Sequence, residues 1–405
     1  MFLNSCGLYI HIPFCKSKCA YCDFFSCTNK EHLIEKYIEA LCKELLFNVN
    51  LKKHFTFDTV FIGGGTPSII PSALLQKLCS CINSLCSPKE FTIEANPDDI
   101  TEEFLELLNN CKVTRLSVGI QSLNDKALKE CKRRADVQTN LNSLELIKKH
   151  WKNKFSIDLI TALPHETEET LIRGLQKTIE YKPDHISLYS LMLEEETPLF
   201  STYKNYDSDK ADKLWLTGRE FLIKNGYNQY EVSNFCRKDN ECLHNLKYWQ
   251  QENYVGLGAG ATGTVYKKEN EAFTGLRKTN TQNIEEYINF WNSEKTDSNA
   301  IENSHGEIIS LVEQNQVVET EIITEQNCRI EFFMMGLRLL KGISEEDYKM
   351  RFKEGFSSAV KEIFIKWNKQ KFGEISLKNN FMNFSLNQKG ILFLNKILQE
   401  ILETY

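Results

Sequence analysis

The sequence predicts an α/β protein, a partial barrel of six strand–helix units followed by a smaller α+β unit. Three observations lead there. Six short β-rich runs recur through the first half, at Leu8–Pro13, Thr59–Ile62, Phe91–Ala95, Arg115–Ile120, Ser156–Ile160 and His185–Leu191. The gaps between them leave room for crossover helices of roughly 10–12 residues or more, as parallel strands require. Polar and glycine-rich residues cluster just after these runs, where parallel barrels place their chemistry.

Between the first two strands, Lys36–Val49 puts Ile38, Leu41, Leu45 and Leu46 on one helical face, and Glu102–Leu108 is amphipathic in the same way. Six units rather than eight make an open, TIM-like (β/α)6 barrel over residues 1–235, with substrate lying across its mouth or open side. Past Leu199 the pattern changes. Lys210–Lys224 predicts a helix, Tyr230–Ser233 a strand, and Gly256-Leu257-Gly258-Ala259-Gly260 a tight turn or backbone-approach site. Residues 236–300 extend the barrel, and the polar stretch Asn292–Ile308 predicts a linker. In the last unit, 310–405, a helix at Cys328–Leu340 is stopped by Gly342. Ser344 caps the next helix with Asp347 three residues on. A hairpin at Ile375–Leu386 and a helix at Gly390–Leu402 complete a winged-helix-like order. It carries no basic stripe, which favours a packing or lid module over nucleic-acid binding.

Composition narrows the function classes. The 405 residues are 41% hydrophobic and 26% charged, ordinary for a globular chain. A net charge of −6 gives no support for nucleic-acid binding. The longest uncharged run, Thr59–Gln76, is broken by glycines and prolines, so no transmembrane segment is expected. No basic stretch precedes the first apolar residues, and the expected location is cytoplasmic. Peripheral membrane contact and a homodimer remain compatible with the sequence. Of 14 cysteines, most sit singly in helical segments. Cys42, Cys79, Cys81, Cys111 and Cys131 read as small buried hydrophobes, and Cys6 and Cys27 as spare thiols near the motif described next.

Cys15, Cys19 and Cys22 are spaced C-x3-C-x2-C directly behind the first strand. An iron–sulfur cubane has four irons, so three thiolates leave one iron open to an exchangeable ligand. A zinc site would want a second Cys-x2-Cys or a histidine pair nearby, and a thioredoxin-like pair would leave Cys15 idle. The pattern resembles the radical S-adenosylmethionine (SAM) superfamily, whose open iron chelates SAM. The resemblance implies a [4Fe-4S] cluster on these cysteines and SAM as second cofactor.

Further residues fit that resemblance. Tyr9 alternates with His11 on one strand face. Read alone it is a strand aromatic; in the coproporphyrinogen oxidase-like branch a tyrosine here contacts SAM. Gly63-Gly64-Gly65-Thr66-Pro67 follows the second strand, and glycines there allow close backbone approach. The turn resembles the SAM-binding glycine motif, which implies roles for Gly64, Gly65 and Thr66. Glu94, Gln121, Arg133 and Asp158 stand at or near later strand ends. Each read singly is a capping or ion-pairing residue; their positions resemble SAM-contacting positions of the same branch.

His244-Asn245-Leu246-Lys247-Tyr248-Trp249 is the second informative element. Imidazole is a common axial ligand of haem iron, and Tyr and Trp offer flat faces to a porphyrin. A lone loop histidine is ordinarily just hydrogen-bonded, but this HNxxYW run matches a signature of the HemW haem-chaperone family. The resemblance runs from Leu8 to about Gly342, including Glu331–Arg338. It implies that His244, Asn245, Tyr248 and Trp249 bind haem, and that haem passes to recipient haemoproteins, mainly of the respiratory chain. SAM cleavage is compatible with it; net enzymatic turnover is not implied. The alternative is oxygen-independent coproporphyrinogen III oxidase, or another radical SAM enzyme of porphyrin metabolism. That oxidase has a fourth cysteine in C-x3-C-x2-C-x-C and an N-terminal arm, whereas Phe24 stands here and eight residues precede Tyr9.

Overall fold

The computed structural model describes residues 4–51, 55–269, 272–293, 296 and 317–405. In its first strand, β1 (Ser5–Ile12), only Ser5 and Tyr9 are partly exposed, as befits a parallel strand covered on both faces. β2 (Thr56–Gly64), β3 (Glu90–Ala95), β4 (Arg115–Gln121), β5 (Lys154–Thr161) and β6 (His185–Ser190) follow in chain order, each parallel to the one before. All six expected strands are present. The connections carry α1 (Ile34–Leu51), α2 (Ser72–Leu85), α3 (Glu102–Asn110), α4 (Asp125–Glu130), α5 (Val137–His150) and α6 (Glu168–Glu180). Side chains start several of them: Thr101, Asp136 and Thr167 each accept from a backbone N–H that no helical carbonyl reaches. This is the partial (β/α)6 barrel. After β6 come α7 (Pro198–Thr202) and α8 (Ser208–Lys224).

The sheet is extended at both edges. β8 (Asn234–Cys236) runs antiparallel to β6 and to the two-residue β7 (Asn228–Gln229). Tyr230–Ser233, expected as a strand, is instead the link between β7 and β8. Strands this short leave no room for the alternation that sequence reading depends on. At the other edge β9 (Asn253–Leu257) pairs parallel with β1. β10 (Thr262–Glu269), β11 (Ala272–Asn280) and β12 (Val318–Ile323) continue antiparallel. Of the Gly256–Gly260 run, Gly256 and Leu257 end β9, and the remaining residues turn the chain toward β10 and approach other backbone closely. Gly258 has φ +97°, and a Cβ there would lie 2.5 Å from the His11 carbonyl oxygen. α9 (Leu243–Trp249) precedes β9, and α10 (Ile284–Trp291) follows β11. Of the expected Asn292–Ile308 linker, all but Asn292, Ser293 and Thr296 lies outside the described residues.

In the last part, α11 (Glu325–Gly336), α12 (Glu345–Phe352), α13 (Ser358–Lys369) and α14 (Leu394–Leu402) surround a small sheet. Its strands are β13 (Ile343–Ser344), β14 (Gly373–Lys378) and β15 (Phe381–Leu386), in the order β13-β15-β14. Ser344 caps α12 as expected, accepting from Glu346 N. Gly342 is not the stop of α11, which ends at Gly336; with φ +70° it lets the chain pass close to Phe384. The core here gathers Phe333, Phe364 and Phe384 together with Tyr266, Phe273 and Ile323 of the main sheet's extension. Cys79, Cys111 and Cys131 are buried as expected, whereas Cys42 and Cys81 are only half-buried. Among the described residues no helix is long and apolar enough to cross a membrane.

Candidate functional site

The cysteine loop leaves the C-terminal end of β1 and is pinned at both ends. Cys15 N donates to Cys27 O at 2.8 Å and Cys27 N to Pro13 O at 2.7 Å. Ala20 N reaches Cys131 O at 2.9 Å, and Ala20 O accepts from Leu199 N at 2.8 Å. Cys15 is buried, Cys19 and Cys22 are partly exposed, and none of the three is in a disulfide. Two side chains donate to their sulfurs: Thr66 Oγ1 to Cys15 at 3.4 Å and Arg133 Nη1 to Cys19 at 3.3 Å. Arg133 Nη2 also donates to Gly119 O at 2.6 Å and Asn96 Oδ1 at 3.1 Å, while Asn96 Nδ2 donates to Thr66 Oγ1 at 3.3 Å. Burial works against the Arg133 charge, but the Tyr21 and Cys19 groups beside it outweigh that and hold it firmly protonated.

The glycine turn after β2 presses on this loop. Gly65 N donates to Ile12 O at 2.7 Å, and a Cβ on Gly65 would lie 2.8 Å from Phe14 O and 3.0 Å from Cys15 Sγ. Gly64, at φ +111°, has no room for a side chain beside the His11 ring. Its N–H donates to Glu94 Oε2 at 3.2 Å. Tyr9 and His11 do share a face, with the Tyr9 hydroxyl 2.9 Å from His11 Nδ1. Burial, then the charge of Asp158, pushes Glu94 up to about 8 against the Gly64 N–H. Asp158 is also raised by burial, opposed by hydrogen bonds from Ser187 and Ser117. Gln121 sits at a bulge of the β4–β5 pairing with φ 65°, its amide folded over Gly119. The expected SAM residues are thus neighbours along the ends and inner face of β1–β5.

The HNxxYW run forms α9, and its four expected residues divide. Tyr248 and Trp249 line a cavity of about 560 Å³ that they share with Tyr9, Gly64, Glu94, Phe24 and Met335. Asn245 faces an adjoining cavity of about 180 Å³, which shares Glu94 with the first and also meets Asp158 and His185. His244 is buried, its Nδ1 2.9 Å from Thr59 Oγ1 and its Nε2 2.7 Å from the Tyr248 hydroxyl. Burial, then Lys247, lowers it to about 3. Both ring nitrogens are thus engaged, and His244 is not among the residues that line the large cavity. Another cavity, of about 220 Å³ between α1 and the β9–β11 extension, contains none of the expected residues.

Residues 9–176 match the model of the Radical SAM superfamily. The chain is 31% identical to the haem chaperone HemW of Buchnera aphidicola subsp. Schizaphis graminum, over 98% of both chains. With HemW of Lactococcus lactis it shares 31% identity, over 97% of this chain and 96% of the other. The chain belongs to the HemW haem chaperone family. Its fold is that of the radical SAM enzyme coproporphyrinogen III oxidase (HemN) of Escherichia coli, with a TM-score of 0.75, 19% identity, and coverage of 98% of this chain and 90% of that one.

Radical SAM membership implies a [4Fe-4S] cluster and SAM, and the loop's donor set suits the cluster. The loop brings three cysteines to one strand end, and two of their sulfurs accept hydrogen bonds from a hydroxyl and a guanidinium. Among the described residues no three His, Cys, Asp or Glu side chains are gathered to hold a metal ion. A cubane's thiolates each bind a different iron and so stand further apart than the ligands of one ion. For SAM, the crowded Gly64-Gly65 turn suits a ligand approached by backbone, with the buried Glu94 and Asp158 carboxyl groups close by.

Two residues of this HemW-family site escaped sequence reading. Asn96 joins Thr66 to Arg133; the only signal was an Asn-Pro pair just after a strand. Glu90 caps α9, accepting from His244 N at 2.9 Å and Leu243 N at 3.1 Å, and Arg115 Nε donates to it at 3.2 Å. A glutamate opening a strand carries no such signal, because its partner lies more than 150 positions away.

Proposed function

We propose that the chain is a cytoplasmic haem chaperone, holding haem in the 560 Å³ cavity and passing it to recipient haemoproteins such as those of the respiratory chain. One observation carries the reading: Tyr248 and Trp249 of the HNxxYW run line the same cavity as Tyr9, Gly64 and Glu94. The volume falls within the usual range for cofactor pockets, and its aromatic walls offer π-faces to a porphyrin. The names of the full-length relatives support the same reading.

In this reading Cys15, Cys19 and Cys22 hold a [4Fe-4S] cluster and SAM lies toward Glu94 and Asp158. When bound, the cluster and SAM supply one-electron chemistry. The chain's own part is positional. Arg133 and Thr66 hold the Cys19 and Cys15 sulfurs by hydrogen bonds, and the Gly64 N–H orients Glu94 toward the cavity. Tyr248 and Trp249 wall off the neighbouring volume.

The test is an anaerobic haem titration of the reconstituted protein, with iron counted on the same sample. Stoichiometric haem uptake that weakens in Trp249→Ala supports the reading. Vinyl-group formation from coproporphyrinogen III, given SAM and reductant, would overturn it in favour of an oxidase.

A further inference from the structure

Four cysteines on the outer helices stand in two pairs. Cys42 of α1 meets Cys81 of α2, and Cys79 of α2 meets Cys111 at the end of α3. The first pair is anchored by a further contact, with Cys81 Sγ 3.9 Å from Cys42 O. The pairs differ in access. Cys42 and Cys81 are half-buried, whereas Cys79 and Cys111 are 1% and 6% exposed. The first pair also has a charged neighbour. Lys77, one helical turn before Cys81, forms a 3.3 Å ion pair with Glu39, three residues before Cys42. The Cys42 contact, with Lys77, draws the Cys81 thiol below its ordinary range despite burial. The Cys81 contact and burial hold Cys42 protonated.

We propose that Cys42 and Cys81 form a peroxide-responsive dithiol, with Cys81 as attacking thiol and Cys42 as resolving thiol. A reactive redox thiol wants solvent access, a cation nearby to favour the thiolate and a second thiol within reach, and Cys81 has all three, with Lys77 one helical turn before it. The Cys81 sulfur attacks hydrogen peroxide, cleaving the O–O bond to give a sulfenic acid and one water. The Cys42 sulfur then displaces the hydroxyl, forming the S–S bond and releasing a second water. Two thiols and one peroxide become one disulfide and two waters. The bond ties α1 to α2. Through α1 it bears on the barrel, because Glu44 and Tyr37 of that helix hold Gly258 N and His11 O at the end of β1.

The experiment treats anaerobically purified, cluster-loaded protein with one equivalent of hydrogen peroxide, blocks free thiols, and maps peptides by mass spectrometry. A Cys42–Cys81 crosslink lighter by two hydrogen atoms is expected, at more than ten times the yield of any Cys79–Cys111 crosslink. Cys42→Ser should leave a Cys81 sulfenic acid that dimedone traps, and Cys81→Ser should leave Cys42 as thiol. Site-by-site mapping separates these outcomes from oxidation of Cys15, Cys19 and Cys22 released by cluster damage. The proposal falls if wild-type Cys42 and Cys81 are blocked as free thiols to the same extent as in untreated protein. It falls equally if Cys79–Cys111 links first, or if dimedone labels Cys42 rather than Cys81.

Discussion

Asn96 accepts a hydrogen bond from Arg133 at 3.1 Å, and its own amide donates to Thr66 at 3.3 Å. One amide side chain thereby joins the two residues that donate to cluster-loop sulfurs. Asn96→Ala should leave the fold intact, because the helix and strand hydrogen bonds around it are backbone ones. It frees Arg133 and Thr66 to drift, at a cost of about 1 kcal/mol in net hydrogen bonding. The expected outcome is roughly fivefold faster loss of iron in air, read from the cluster's visible absorption, with unchanged circular dichroism.

Glu94 makes SAM binding pH-dependent. Burial, then Asp158, raises it to about 8, so at neutral pH it stays largely protonated and gives little charge to a sulfonium. Tyr9, Tyr189 and Tyr248 also face it, and burial raises all three above their ordinary range, so they stay neutral. SAM should therefore bind more tightly as pH rises through about 8. Folding stability moves the other way. Between the ordinary carboxyl range and about 8 the unfolded chain releases this proton while the folded chain keeps it, so stability falls as pH rises across that window. Glu94→Gln should flatten both dependences, measured by calorimetric titration of SAM and by denaturant midpoints at several pH values.

Much of this was legible because parallel barrels write themselves locally. Each buried strand is a run of apolar residues, and the C-x3-C-x2-C and Gly63-Gly64-Gly65 motifs are contiguous. What could not be read depends on distant pairing. Asn96 and Glu90 act through partners in other units, and nothing in their own windows marks them. HNxxYW was readable as a unit, but its inner geometry was not. A seven-residue helix puts His244 and Tyr248 on one face, bonded to each other, and turns Asn245 elsewhere; which side chain meets the cavity depends on how Glu90 anchors the helix start.

The direction of His244 separates two kinds of haem pocket. Its nitrogens are held by Thr59 and Tyr248, so His244→Gln, which can still hydrogen-bond, should keep the absorption maximum of bound ferric haem. Trp249→Ala should weaken haem binding about tenfold, roughly 1.4 kcal/mol, through loss of a cavity wall. A shifted maximum in His244→Gln would mean that Tyr248 releases the imidazole when haem enters.

The Glu90–Arg115 pair should control haem affinity without touching haem. Both side chains are almost fully buried, and neither lines the large cavity. Arg115 also donates to Asn240 O at 3.1 Å and Glu241 O at 2.9 Å, so it holds the loop entering α9 while Glu90 holds the helix start. Arg115→Met strands a buried carboxylate and should cost about 3–5 kcal/mol of stability. Adding Glu90→Gln removes that stranded charge and should restore most of the denaturant midpoint. It should not restore haem affinity, because a neutral amide accepts more weakly from the His244 and Leu243 N–H groups, and the Asn240 and Glu241 carbonyls still lack their donor. Stability recovered without affinity would assign the pair to placing α9. Recovery of both would reduce it to a packing element.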